Sequence, residues 1–173
     1  MPPPADLSHM TDTMHVGEFW LESFAVPFVP HSRLKVIELV PRQIITRATV
    51  ADPLVADDLV LADPSRDILK LAVIERHHAT GNLGRGFVRG FGLRRGALAS
   101  TVAHDAHNII VVGTNDRDMY AAALHLVRLG GGQCVVADAE VLEDLALPIA
   151  GLVSDQPLEH VRRKVDALIA AAA

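Results

Sequence analysis

Two short polar stretches carry the side chains that could do chemistry. His104-Asp105-Ala106-His107-Asn108 sets two imidazoles around a carboxylate and next to an amide, and Arg76-His77-His78-Ala79-Thr80-Gly81-Asn82 adds two more imidazoles and a second amide. From Arg76 to Gly113 the chain holds four of its nine histidines and seven of its twelve glycines. Groups of these types at such density can bind a metal, relay a proton or orient a polar ring. The spacing does not choose among these. Zinc signatures set two histidines on a helix around a glutamate, or add nearby cysteines, and neither pattern occurs here. A tight turn in which His104 and His107 bond only to backbone accounts for the same residues. His77 and His78 can equally be the polar end of a buried strand.

Other chemistries find less support. Gly81-x-x-Gly84-x-Gly86 and Gly90-x-Gly92 invite a phosphate-loop reading, but their order is wrong for a dinucleotide fingerprint and no lysine stands where a triphosphate loop needs one. The glycines read instead as conformational, with Phe87, Val88 and Phe91 forming a short apolar face, taken as a helical turn. Arg85, Arg89, Arg94 and Arg95 read as a solvated or interface face. Cys134 sits inside an apolar run with no histidine close in sequence, which predicts an inert buried thiol. Ser100 and Thr101 precede His104 without a Gly-x-Ser-x-Gly elbow around them.

The elements that must position these residues alternate between β and α signals. Leu34–Val40 and Ile44–Val50 are rich in β-branched residues and predict two strands joined through Pro41-Arg-Gln. Val55–Ala62 predicts one weaker, irregular strand, Asp63–Asp67 a turn, and Ile68–Ile74 a buried strand that leads straight into the first histidines. Ala97–Val102 and Ile109–Val112 predict inner strands with the second histidine pair in the connection between them. Thr114 or Asn115 caps a helix through about Leu129, which Gly130 to Gly132 end. Cys134–Asp138 and Glu140–Leu147 predict a hairpin. A last helix, capped by Ser154 or Asp155 with Pro157 in its first turn, presents Leu158, Val161, Val165 and Leu168 as its core stripe. The expected fold is α+β, a mixed β-sheet layered with helices in a single domain over residues 31–173. Residues 1–30 form an extended segment, loose over the first ten residues and anchored on the domain or on a partner through Phe19, Trp20, Phe24 and Phe28.

Composition bounds the function. A 173-residue chain with half its residues apolar can bury one sizeable core. A net charge of −5 without a basic block offers no footprint for nucleic acid or an anionic membrane surface. One cysteine forms no internal disulfide, and no apolar run reaches membrane-span length, so a soluble cytoplasmic protein is expected.

The run Gly96-Ala-Leu-Ala-Ser-Thr-Val-Ala-His-Asp-Ala-His-Asn-Ile-Ile-Val-Val-Gly113, within Gly81–Asn115, resembles the C-terminal domain of bacterial adenine deaminases, as does Leu147-Pro-Ile-Ala-Gly-Leu-Val-Ser-Asp155. Thr13-Met-His-Val16, Phe24-Ala-Val-Pro27 and Val36–Thr46 resemble the segments that lead into that domain, so the resemblance covers nearly all of the chain after about residue 12. It implies hydrolysis of adenine to hypoxanthine and ammonia in purine metabolism. The metal-activated water of that reaction belongs to an amidohydrolase barrel, present as a preceding domain or a separate subunit. This chain has no His-x-His strand motif and falls far short of the roughly 250 residues of a barrel. The divalent metal (Mn, Fe or Zn) is therefore expected in the full enzyme and not on this chain, which alone is expected to be inactive. His104, Asp105 and His107 are expected to be catalytic, touching the purine or ordering the water and proton path, with Asn108, His77, His78 and Asn82 in substrate binding. A homo-oligomer is expected. Ala106 departs from the serine of the family's His-Asp-Ser-His-Asn motif, which removes a hydroxyl contact, and Arg42 stands where a glycine is expected. Two other classes remain open: a non-catalytic assembly domain docking through its apolar N-terminal segment, and an independent purine or metal site built from His77, His78, His104 and His107.

Overall fold

The computed structural model describes residues 10–173, so the expected looseness of the first ten residues lies, for 1–9, outside the described residues. Ten strands and two α-helices follow one another as β1 (Leu34–Leu39), β2 (Thr46–Ala51), β3 (Leu54–Ala56), β4 (Leu59–Leu61), β5 (Ile68–Ile74), β6 (Leu83–Arg89), β7 (Ala97–Ser100), β8 (Ile109–Gly113), α1 (Asp116–Leu129), β9 (Gly132–Ala137), β10 (Glu140–Ala146) and α2 (Leu158–Ala172). Eight strands make one sheet in the order β10-β9-β7-β8-β5-β6-β1-β2, and β3 pairs with β4 as a separate hairpin. Only the β1–β6 pair is parallel; the other pairs in the large sheet are antiparallel. The chain is thus an α+β domain built on a mixed sheet, as its alternating signals predict.

Side-chain alternation along each strand divides the apolar residues between two faces. Ala72 and Ile74 of β5, Ala97 and Ala99 of β7, Val111 of β8, and Cys134 and Val136 of β9 face α1, whose Met119, Ala122, Ala123 and Leu126 are buried on them. The small alanines on the sheet let the helix sit close. Full burial of a side chain such as Leu126 contributes about 1.5–3 kcal/mol. On the opposite face Leu98 and Val135 meet Val161, Val165 and Leu168 of α2. Asn115 caps α1 by accepting the Asp118 amide at 2.8 Å, and Gly130, at φ +78°, turns the chain out of it.

Four expectations are revised. The glycine-rich stretch is not a helical turn but strand β6, sandwiched between β5 and β1, with Phe87 directed to one face and Val88 to the other. Residues 55–62 form the hairpin β3–β4 instead of a single strand, because Asp57 and Asp58 both adopt positive φ and close a tight turn between them. Helix α2 begins after Pro157 with no side-chain cap: the Ser154 hydroxyl accepts the Gln156 amide instead, and the Asp155 carboxylate takes the Gln156 side chain. Its apolar stripe therefore starts one turn later than expected, and Leu158 is 78% exposed.

The N-terminal segment lies on the α1 side of the sheet as a strap. Phe19 and Phe24 are buried and meet Tyr120 of α1 edge to face, and Phe28 is half-buried over β1 and β6, whereas Trp20 is 59% exposed. Arg85 belongs to this attachment, donating to the Ala25 carbonyl at 2.7 Å. No helix among the described residues is long and apolar enough to cross a membrane.

Candidate functional site

Two loops leave the same end of the sheet. One joins β5 to β6 across residues 75–82 and carries His77, His78 and Asn82; the other joins β7 to β8 across residues 101–108 and carries His104, Asp105, His107 and Asn108. They meet directly, since the His77 ring nitrogen Nε2 lies 2.8 Å from the Ala106 carbonyl oxygen. That contact uses main chain, so the alanine at position 106 leaves it intact.

Each loop is fixed from within. The Glu75 carboxylate accepts the amides of His77, His78 and Thr80 and the Thr80 hydroxyl, curling residues 75–80 around itself. Partial withdrawal from water pushes its pKa up, but these donors outweigh that and bring it to about 2, from the usual 4.5. In the second loop the His107 amide donates to the Ala103 carbonyl at 2.7 Å, and the Ala103 amide donates back to His107 Nδ1 at 3.3 Å. The rings of His104 and His107 are 5.0 Å apart. His104 and Asp105 are exposed, while His107 and Asn108 are half-buried. The Asn108 Oδ1 atom is buried without a donor among the described residues.

Neighbouring segments clamp the pair. The strap runs beside the first loop, the His15 amide donating to the Arg76 carbonyl and the Ala79 amide to the His15 carbonyl. Gly17 presses so closely on this loop that a Cβ there would lie 2.3 Å from the Gly81 nitrogen. Beneath the second loop, the buried Thr101 hydroxyl donates to the Gly151 carbonyl at 2.6 Å and accepts the Gly132 amide at 2.8 Å.

Of the residues singled out in the sequence, His77, His104 and His107 are therefore brought together, with Asp105 and Asn108 on the same loop as the last two. His78 and Asn82 lie on the exposed rim, and no side-chain hydrogen bond is made by either among the described residues. Glu75, Arg76 and Thr101 were not assigned to the site from sequence; the available hint was a charged pair ending an otherwise buried strand. No three His, Cys, Asp or Glu side chains converge as a metal holder among the described residues. The amides of Gly90 and Gly92 both donate to the Asp67 carboxylate at 2.8 Å, so a resident anion occupies the place a phosphate would take. Burial, with a smaller push from Asp144, raises the Cys134 thiol to about 12, which removes it as a nucleophile.

The Glu75 carboxylate makes a pH prediction. A group whose pKa is lowered by folding stabilises fully above its unfolded value and loses that contribution as pH falls through the folded one. The stability difference between the native chain and a Glu75→Ala variant should be complete above about pH 4.5 and close as pH falls to about 2, read from melting curves across that range. A difference independent of pH would exclude the carboxylate as the cause.

Fold and site together define an α+β domain that presents a histidine-rich double loop at one end of its sheet. The chain belongs to the adenine deaminase C-terminal domain family, whose model matches residues 43–173. It is 53% identical over 137 residues to an adenine deaminase of Desulfatibacillum aliphaticivorans, covering 79% of this chain and 24% of that one. It is 52% identical over 134 residues to an adenine deaminase of Clostridium botulinum, covering 78% of this chain and 22% of the relative. An adenine deaminase of Dehalococcoides mccartyi is 43% identical over 159 residues, covering 92% of this chain and 27% of the relative. The chain spans about a quarter of the length of these curated relatives.

Proposed function

We propose that this chain serves as the C-terminal domain of an adenine deaminase, completing an active site whose metal-bearing barrel lies in another domain or subunit. The observation that carries this reading is the junction of the two loops through His77 and the Ala106 carbonyl, which gathers imidazoles, a carboxylate and an amide at one end of the sheet. Converting adenine to hypoxanthine and ammonia requires an attacking water to lose a proton and the leaving amine to gain one. Imidazoles perform that exchange near neutral pH, and His104 and His107 are the candidates, with Asp105 orienting them or the water. Asn108 Oδ1 is a buried acceptor that a donor on the purine or on the partner would satisfy. His77 orders the second loop, and His78 and Asn82 border the purine from the rim.

The implied divalent metal (Mn, Fe or Zn) stays with the barrel. The reading extends to a cytoplasmic homo-oligomer in purine metabolism, formed by a folding unit of residues 31–173 with the preceding segment as its strap. An uncovered apolar face supports a docked partner: Ile37, Val73 and Phe91 are 43%, 36% and 42% exposed, beside a groove of about 270 Å³ between α2 and the sheet. The same face favours a second reading, an assembly domain with no chemical role.

An exchange enzyme separates the two readings. In a full-length deaminase whose C-terminal quarter is replaced by this chain, His107→Ala should lower turnover about 100-fold with an unchanged melting temperature. Unchanged kinetics would leave only the assembly role.

A further inference from the structure

Arg76 lies two residues beyond the end of β5 and is 1% exposed, among the largest fully buried side chains of the domain. Among the described residues no carboxylate pairs with it. Burial lowers its pKa without any charge partner to offset the cost. A leucine or methionine would fill the same space without desolvating a charge, so packing alone does not account for an arginine here.

What the guanidinium does is grip main chain from separate segments. Nε donates to the His107 carbonyl, Nη1 to the Thr13 carbonyl at 3.1 Å, and Nη2 to the Ala150 carbonyl at 2.9 Å. His107 and Ala150 are both non-glycine residues in the left-handed region, at φ +49° and +57°, a conformation that side chains beyond glycine disfavour. The fork thus holds the carbonyls of two residues in this conformation. Gly151 gives it room, since a Cβ there would lie 3.0 Å from Cζ, Nη1 and Nη2.

We propose that Arg76 is a positioning residue that sets the direction of the His107 imidazole by clasping the His107 carbonyl to the strap and to the 147–153 loop. With the carbonyl fixed, the His107 amide and Nδ1 close the turn onto Ala103, and Nε2 is left as the ring nitrogen with no hydrogen bond among the described residues. The planar fork is required, because a lysine ammonium supplies charge at one point and cannot span the same carbonyls. The catalytic consequence rests on the reading of His107 given above; the positioning role does not.

The test uses isotope-labelled chain carrying Arg76→Lys or Arg76→Met. The His107 tautomer is read from ring nitrogen shifts, and amide exchange is followed at His107 against Val111 in β8. Expected in both variants are a changed His107 tautomer balance and exchange at least about tenfold faster at His107, with Val111 protection retained. An unaltered His107, an equal loss of protection at Val111, or unfolding of both variants would assign Arg76 to the fold alone and overturn the proposal. In the exchange enzyme, Arg76→Lys should lower kcat about tenfold with KM within about twofold. If His107→Ala reduces turnover there and Arg76→Lys does not, the catalytic consequence of Arg76 fails and the reading of the site stands. If His107→Ala has no effect, the reading fails while the spectroscopic result still decides Arg76.

Discussion

Asp116→Ala should destabilise the domain by about 3–5 kcal/mol, far beyond what a surface ion pair contributes. Lys70 lies in the middle of β5 and its side chain is 3% exposed; Nζ donates to the Asp116 carboxylate at 2.6 and 2.9 Å and to the Phe24 carbonyl at 3.2 Å. Removing the carboxylate leaves an ammonium in the core with one neutral acceptor, and it removes a negative charge from the first turn of α1. The double variant Lys70→Met, Asp116→Ala should recover to within about 1 kcal/mol of the native chain, because an apolar side chain of similar length needs no partner. Urea unfolding of the single and double variants measures both quantities. A double variant no more stable than Asp116→Ala would mean that the ion pair contributes more than it costs to desolvate.

This pair also shows what was legible in the sequence and what was not. Helix α1 could be read because its signals are local: Asn115 to cap it, Met119, Ala122, Ala123 and Leu126 at helical spacing, and Gly130 to end it. The strand β5 could be read from its apolar run, but nothing local says that Lys70 points inward, since its partner stands 46 residues away. Strand β6 escaped for a related reason. Gly84 and Gly86 erase the alternation that marks a strand, and the segment is held by pairing to β5 and β1. The site divides in the same way. The histidines identify themselves by type, and their family by the motif around them, whereas Arg76 binds carbonyls 31 and 74 residues away, and carbonyls leave no trace in residue type.

Distant contacts of the same kind tie the segment before the family match to the sheet. The family match begins at residue 43, yet β1 at Leu34–Leu39 pairs with both β2 and β6 inside the sheet, and the strap before it supplies core residues and part of the clamp on the first histidine loop. A chain cut at the start of the match would expose one flank of β6 and strip the cover from one end of α1. The strap is therefore part of the unit that shapes the site.

Phe24→Ala tests this directly and should cost about 3–5 kcal/mol, the range for removing a fully buried phenylalanine. Phe24 is 1% exposed, with ring centroids 6.2 Å from Phe19 and 6.3 Å from Tyr120, so its loss opens a cavity and removes two edge-to-face contacts. Its carbonyl also accepts from Lys70, which ties the strap to the ion pair beneath it. Trp20→Ala, four residues earlier and 59% exposed, should change stability by no more than about 0.5 kcal/mol in the isolated chain. The contrast separates burial from aromatic character. If the strap were merely laid on the surface, both substitutions would be nearly neutral in thermal unfolding, and amide exchange at Ala79, whose amide donates to the strap, would not respond. A loss confined to Phe24, with faster exchange at Ala79, would show the strap holding the core and the first histidine loop in one cooperative unit.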